Sequence, residues 1–139
     1  VQNLMKVGKK IGVIDSQDAL IGNPAYDLVS LVDDVRIKTS IKLKNQIYNY
    51  YLKKTSKIYK INANKFLEDF KILSVQRSLK IIGVFSRLFI RDKKKQYLKF
   101  IPYTWQLLEM RMNSEIFYEL KKILNGNISK RFKRKIILK

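Results

Sequence analysis

The stretch NLMKVGKKIGVID, residues 3–15, holds two short apolar segments, Asn3–Val7 and Lys10–Ile14, on either side of the pair Gly8-Lys9. Two-residue connections that contain glycine are typical of β-hairpins, because glycine adopts the positive φ angles that such turns require. The sequence therefore predicts a small antiparallel hairpin at this end of the chain.

The two ends of this hairpin carry oxygen donors. Asn3 begins the first strand, and Asp15 follows the second strand directly. A hairpin brings its two ends to one place, so we expect these side chains to lie close together. Amide and carboxylate oxygens suit Mg²⁺, which takes one or two protein ligands beside phosphate oxygens and water. On spacing alone this is a weak signal, since Asn and Asp flank many hairpins.

Apolar residues recur at helical spacing from Asn23 onward. Asn23 can cap a first helix with Pro24 in its first position. Its predicted buried positions are Leu28, Leu31, Val32 and Val35. The fold class expected is α+β and mainly α-helical.

Three further helices follow. Lys42–Lys54 is predicted to be helical with Leu43, Ile47, Tyr50 and Tyr51 on one side, although its tyrosine run also tolerates a strand. Ala63 to about Ile90 is a long helix, in which Gly83 indicates close packing against another backbone. Pro102 opens a helix that is expected to continue to Asn125-Gly126-Asn127.

The expected domain covers residues 1–127, and residues 128–139 form a basic tail. This tail mixes six bases with apolar residues. It could be a terminal helix or strand on the domain, a disordered end, or an amphipathic helix for an anionic membrane surface.

Composition excludes several classes of site. The 139 residues include no cysteine and no histidine, which rules out disulfides, cysteine–histidine zinc sites and Ser-His-Asp catalysis by these residues. The most apolar window, residues 81–90, contains Arg87 and is far shorter than a membrane span.

Because the sequence contains no predicted membrane span, we expect a cytoplasmic protein. Because the chain begins with Val1 rather than Met, we also expect it to be a fragment.

The net charge of +19 raises the possibility of nucleic-acid binding. Residues 1–36 hold four bases and five acids, so the excess of positive charge lies entirely in the rest of the chain. Of the 30 basic residues 23 are lysine, a bias that solvated faces readily accumulate. The distribution does not favour nucleic acid as the partner.

Two segments together resemble a known family. The hairpin with Asn3 and Asp15, followed by GNPAYDLVSL at residues 22–31, resembles the kinase-like small-molecule phosphotransferases of the aminoglycoside-phosphotransferase type. In that family a His-x-Asp-x-x-x-x-Asn loop leads through a hairpin to a metal-binding Asp. The resemblance implies the C-terminal lobe of a protein-kinase-like fold.

The resemblance also implies roles for individual residues. Asn3 and Asp15 would hold Mg²⁺, ATP would be the phosphoryl donor, and the catalytic Asp would lie upstream of Val1. Asp27 would be a buried acceptor that supports the catalytic loop; alternatively it only favours the helix N-terminus. Ser16 stands where the family usually has an aromatic residue.

The long helix narrows the resemblance to one branch. QRSLKIIGVFSRL at residues 76–88 and RDKKKQYLKFIP at residues 91–102 resemble the branch that phosphorylates the anomeric hydroxyl of N-acetylmuramate or N-acetylglucosamine in cell-wall recycling. The partners implied are an amino sugar and ATP.

Four residues are candidates for substrate contact: Asp18, Gln76, Arg77 and Arg87. The last three have no acidic partner near in sequence, and could instead pair with acids such as Asp33 and Asp34 on a neighbouring helix. Asp18 could equally cap a turn. Without the catalytic Asp and the nucleotide lobe, these residues alone are not expected to be active. A basic binding module and an inactive kinase remnant remain alternatives.

Overall fold

The computed structural model describes residues 3–14 and 21–134. Strands and helices follow in the order β1 Leu4–Val7, β2 Lys10–Val13, α1 Ala25–Val32, α2 Ile41–Thr55, α3 Ala63–Asp92, α4 Ile101–Arg111, α5 Tyr118–Asn127 and α6 Lys130–Arg134, with short 3₁₀ helices at Lys95–Phe100 and Glu115–Phe117. This arrangement confirms the predicted α+β, mainly helical class.

The hairpin has the predicted strands and turn. β1 and β2 pair antiparallel, with Leu4 opposite Val13 and Val7 opposite Lys10. Gly8 in the turn has a φ of +60°, a conformation that a side chain would strain. The pairing extends one step beyond the strands, because the amide of Ile14 donates to the carbonyl of Asn3 at 3.1 Å.

Side chains of small polar residues fix the starts of the first three helices. α1 begins one residue later than predicted, with Pro24 and not Asn23 at its N-cap, and the Asn23 side-chain oxygen accepts from the amide of Ala25 at 2.9 Å. Ser40 caps α2 by accepting from Leu43 N at 3.2 Å, and Asn62 caps α3 at 3.1 Å. Each cap satisfies a backbone N–H that has no partner within the helix.

The 30-residue helix α3 packs against both halves of the helical body. Its first half contacts α1 and α2 in a cluster built on Ala25, Leu28, Val29, Val32, Phe66 and Phe70. Its middle contacts α4 and the following 3₁₀ helix in a second cluster built on Val75, Trp105, Leu108, Met112 and Phe117. Burial of these apolar surfaces provides the main driving force for folding.

Most of the predicted buried positions of the first two helices are confirmed, namely Leu28, Val32, Val35, Ile47 and Tyr51, and three are wrong. In α1, Leu31 is 43% exposed whereas Val29 is completely buried. The α2 segment is a helix, which excludes the strand alternative, but Leu43 and Tyr50 point to solvent. The inward face instead carries Lys44, Ile47, Tyr48, Tyr51 and Leu52. The inward face is rotated relative to the predicted one because it includes Lys44, whose charge is paired inside the protein.

Two expectations for the C-terminal half were wrong. The single helix expected after Pro102 is divided at residues 112–114 into α4, a 3₁₀ turn and α5, and the break lets Phe117 reach the second cluster. Gly83 does not pack against a backbone, since a Cβ placed on it would meet no atom within 4 Å.

The described part of the basic tail folds back on the body. Ile128 packs against the second cluster, and α6 lies against α4 with Lys133 buried between them. In the part of the chain that the structure covers, no helix is both long and apolar enough to cross a membrane.

Candidate functional site

The open end of the hairpin is where the sequence places a metal site. Asn3 lies directly across from Ile14, the residue before Asp15, through the hydrogen bond between their backbones. Asp15, Ser16 and Asp18 lie outside the described residues. The register is described up to Ile14, so the pairing of Asn3 with Asp15 as metal donors stays a prediction. Among residues 3–14 and 21–134, no three acidic or other metal-binding side chains converge.

Asp27 occupies the first turn of α1 and is exposed, not buried as the resemblance implied. The catalytic loop that it would support is predicted upstream of Val1, so its role there stays a prediction. It lies near Tyr51, whose hydroxyl donates to the carbonyl of Pro24 at 3.3 Å. Burial, together with the negative charge of Asp27, raises the pKa of Tyr51.

A groove runs along α3 beside α1 and the first 3₁₀ helix. It consists of two adjoining cavities of about 260 and 210 Å³, which share Arg77, Ile81 and Phe85 in their walls. The larger is completed by Asp34, Val35, Arg36, Tyr97 and Phe100, and the smaller by Tyr26, Lys80 and Val84. The walls are therefore apolar and aromatic, with cationic groups at several points.

Arg77 is held at the centre of this groove. Its Nε donates to Ser30 Oγ at 2.9 Å, and that hydroxyl donates in turn to the carbonyl of Tyr26 at 2.9 Å. The nearby carboxylate of Asp34 accepts hydrogen bonds from Arg36. The donors are the backbone amide and two guanidinium nitrogens of Arg36, at 2.9 to 3.0 Å. Burial would raise the pKa of Asp34, but these bonds and the charges of Arg36 and Arg77 keep it below its usual value.

The other two candidates on α3 do not line the groove. Gln76 and Arg87 are both exposed and are absent from the walls of both cavities. Of the three side chains predicted on this helix, the structure therefore brings only Arg77 into a concave site. The alternative that these residues pair with Asp33 or Asp34 is not seen among the described residues, where Asp33 binds Lys44 and Arg111 and Asp34 binds Arg36; the charge of Arg77 acts on Asp34 only at longer range.

A buried charge network, which the sequence did not reveal, joins the two halves of the core. Asp33 accepts from Arg111 Nε at 2.9 Å and from its terminal nitrogen at 3.0 Å. The same carboxylate accepts from Lys44 Nζ at 3.0 Å and from Ser74 Oγ at 2.7 Å. The guanidinium of Arg111 also lies 4.8 Å from the centre of the Phe70 ring.

The network keeps Asp33 ionised. Burial raises the pKa of this carboxyl, but the hydrogen bonds and charge of Arg111, with those of Ser74 and Lys44, outweigh burial and hold the pKa below its ordinary value. Lys44 also donates to the carbonyl of Val32 at 2.5 Å, which caps the end of α1. The network ties α1, α2, α3 and α4 together and so fixes the frame around the groove.

A second buried cation holds the C-terminal segment. Lys133 Nζ donates to Asn125 Oδ1 at 2.7 Å, lies 3.5 Å from a carboxylate oxygen of Glu109, and sits 5.2 Å from the centre of the Trp105 ring. All of these partners belong to the body of the protein. The segment is therefore docked through one charged side chain.

Three known proteins that are similar to this chain carry the same name. No family model matches the chain. N-acetylmuramate/N-acetylglucosamine kinase from Neisseria meningitidis serogroup B is 37% identical over 105 residues, which are 73% of this chain and 31% of that protein. The kinase of the same name from Caulobacter vibrioides is 31% identical over 112 residues, or 81% of this chain and 30% of the relative. That from Pseudomonas aeruginosa is 34% identical over 111 residues, or 78% of this chain and 33% of the relative.

The chain thus spans about a third of the length of the curated relatives that it matches. The matches support the sugar-kinase branch indicated by the motifs at residues 76–88 and 91–102, and do not extend to the wider aminoglycoside phosphotransferase family. Over most of its own length, the chain is similar to N-acetylmuramate/N-acetylglucosamine kinases.

Proposed function

We propose that this chain is part of an ATP-dependent phosphotransferase that phosphorylates a hydroxyl of an amino sugar, in the C-terminal lobe of a kinase-like fold. The observation that carries the proposal is the similarity, at 31 to 37% identity, to kinases named for N-acetylmuramate and N-acetylglucosamine. The predicted setting is cell-wall recycling in the cytoplasm.

In this proposal Asn3 and Asp15 hold the Mg²⁺ that accompanies the nucleotide. The metal would neutralise charge on the transferred phosphoryl group. The chain's own contribution is to fix the two donors at the end of a hairpin, where the bond between Ile14 N and Asn3 O supports them. Asp27 would steady the catalytic loop that carries the general base upstream of Val1.

The helical body would supply the sugar site. The groove along α3 combines aromatic walls with a held arginine, which is the composition expected for binding a polar ring with apolar faces. The Asp33 network would keep the helices around the groove in fixed positions during the reaction, since positioning supplies much of the rate enhancement in phosphoryl transfer.

A segment exchange tests the proposal. The matched segment of the Neisseria meningitidis kinase is replaced by the corresponding residues of this chain, and transfer from [γ-³²P]ATP to N-acetylglucosamine and N-acetylmuramate is measured. We expect ATP-dependent sugar phosphorylation by the chimera. A chimera that has a cooperative thermal unfolding transition but no transfer to either sugar would exclude this function.

A further inference from the structure

We propose that Arg77 binds the carboxylate of N-acetylmuramate, and that the groove around it makes the protein prefer this anionic sugar to N-acetylglucosamine. The inference rests on the proposed function and goes beyond it, because it assigns the choice between two sugars to one side chain. The two sugars differ by the lactyl ether group, which carries a carboxylate in N-acetylmuramate only.

The first step of the argument is the orientation of the guanidinium. Ser30 holds Arg77 through Nε alone, and Ser30 is itself fixed by its bond to Tyr26 O. Among the residues that the structure describes, 3–14 and 21–134, no hydrogen-bond partner lies at the two terminal nitrogens of Arg77. The guanidinium thus presents paired donors from a fixed position, the geometry that binds a carboxylate through two parallel bonds.

The second step concerns the acid closest to Arg77. Asp34 could have neutralised this arginine, but both of its oxygens already accept from Arg36 at 2.9 to 3.0 Å. Arg77 therefore interacts with Asp34 only at longer range. An incoming carboxylate would not have to displace an existing partner.

The third step is the charge of the groove as a whole. Its walls carry Arg36, Arg77 and Lys80 against the single carboxylate of Asp34. This leaves a net positive site, and the apolar walls strengthen the attraction for an anion by lowering the local dielectric. A neutral sugar gains nothing from this field.

The fourth step is the shape and chemistry of the walls. Phe85 stacks on Tyr97 with ring centres 5.4 Å apart and contacts Phe100 at 5.8 Å, which forms a firm aromatic floor. The adjoining cavities of about 260 and 210 Å³ together reach the volume range of small-ligand sites. A pyranose ring can lie on this floor while its lactyl group reaches Arg77.

Binding to the 139-residue chain, without nucleotide, tests the inference. N-acetylmuramate, N-acetylglucosamine and inorganic phosphate are each titrated, with affinity measured by calorimetry and the Arg77 Nε–Hε resonance followed by NMR. We expect N-acetylmuramate to bind about tenfold more tightly than N-acetylglucosamine and to shift the Arg77 resonance, as a charged hydrogen-bonded pair predicts.

Variants identify the residue responsible. Arg77→Gln should abolish the preference while N-acetylglucosamine affinity changes less than about twofold. Arg77→Lys keeps the positive charge but cannot form two parallel hydrogen bonds to a carboxylate, so it should retain only part of the preference. Arg91→Gln is the matched control on the same helix. The exposed Arg91 lies outside the groove and pairs with the adjacent Asp92, so the preference should persist in this variant.

Several outcomes would overturn the inference. Equal affinities for the two sugars, no binding of either sugar, or a preference that survives in both Arg77 variants would each do so. A shift of the Arg77 resonance by inorganic phosphate but not by N-acetylmuramate would assign the groove to phosphate. None of these results depends on phosphoryl transfer, whereas the proposed function fails only if the folded chimera transfers phosphate to neither sugar.

Discussion

The guanidinium of Arg111 holds both carboxylate oxygens of Asp33, a residue 78 positions earlier, at 2.9 and 3.0 Å. The pair is largely shielded from water, with side-chain exposures of 16% for Arg111 and 2% for Asp33. Lys44 donates to the same carboxylate, so one acid compensates two cations in the interior. The stability of the helical body should therefore depend heavily on Asp33.

Replacing Asp33 by Asn should destabilise the protein by about 3–5 kcal/mol, because two buried cations lose their counter-charge. Lys44→Met should cost less, since the bidentate pair with Arg111 stays intact while the Val32 carbonyl and one oxygen of Asp33 each lose the Lys44 donor. Urea unfolding at neutral pH measures both free energies. If both variants lost the same free energy of unfolding, or Asp33→Asn lost less, the Asp33 carboxylate would not be the main stabilising group of the network.

Stability should also fall in acid because of this network. The pKa of Asp33 is lower in the folded protein than in the unfolded chain, where it is about 3.9. The stabilisation from its charge is thus complete above about pH 5 and is lost as pH falls through the unfolded value toward the folded one. The pKa of Asp34 is lowered in the same direction, so part of the dependence should remain without Asp33.

The measurement is the urea midpoint between about pH 7 and pH 2 for wild type and for Asp33→Asn. We expect a steep decline in wild type below about pH 5 and a shallower one in the variant. Parallel declines would mean that acid sensitivity arises elsewhere.

The hairpin and the first three helices were predictable because local signals determine them. Gly8 marks the turn, and Asn23 marks the start of α1 through a bond to the amide of Ala25. α3 was predicted to within two residues, since apolar side chains recur along it at helical spacing. Local spacing also brought Asn3 opposite Ile14, one residue from the predicted ligand Asp15.

What the sequence did not reveal depends on contacts between distant segments. Lys44 donates to Asp33 and to the carbonyl of Val32, which belong to another segment, and nothing in the sequence around Lys44 indicates these partners. Arg111 lies 78 positions after Asp33, and the sequence around it does not indicate that the two residues pair. The groove is similarly distributed over α1, α3 and the 3₁₀ helix at Lys95–Phe100, so only Arg77 among its residues was a candidate beforehand.

Gly83→Ala should stabilise the protein by about 0.5–1 kcal/mol. Alanine has the higher helix propensity, and its Cβ would meet no atom within 4 Å at this position of α3. Gly8→Ala is the contrasting variant, because a φ of +60° strains a side chain there and should cost about 1 kcal/mol. The urea midpoints should move in opposite directions; a destabilised Gly83→Ala would indicate a contact that the helix surface does not show.

Lys133→Ala should loosen α6 without unfolding the rest of the body. The change removes a hydrogen bond to Asn125 and a cation that lies 5.2 Å from the Trp105 ring, with an expected local cost of about 1–2 kcal/mol. Amide hydrogen exchange should then accelerate in residues 128–134 and stay unchanged in α3. Lys130→Ala is the control, since Lys130 is exposed. Rapid exchange of this segment already in wild type would place it outside the folded domain.

The metal ligands can be tested in the segment-exchange chimera through Asn3 and Asp15. Removing a donor weakens the hold on Mg²⁺, so Asn3→Ala and Asp15→Ala should each reduce phosphoryl transfer by about a hundredfold or more. Asn3→Asp keeps an oxygen donor and should be less damaging, particularly at high Mg²⁺ concentration.

The hairpin should survive in all three variants, because the bond from Ile14 N goes to the backbone carbonyl of residue 3 and not to its side chain. Lys130→Ala, an exposed change outside the groove and the hairpin, serves as the control. If Asp15→Ala retained full transfer at limiting Mg²⁺, the carboxylate at the hairpin's end would not be a ligand and the metal would have to be held by other residues.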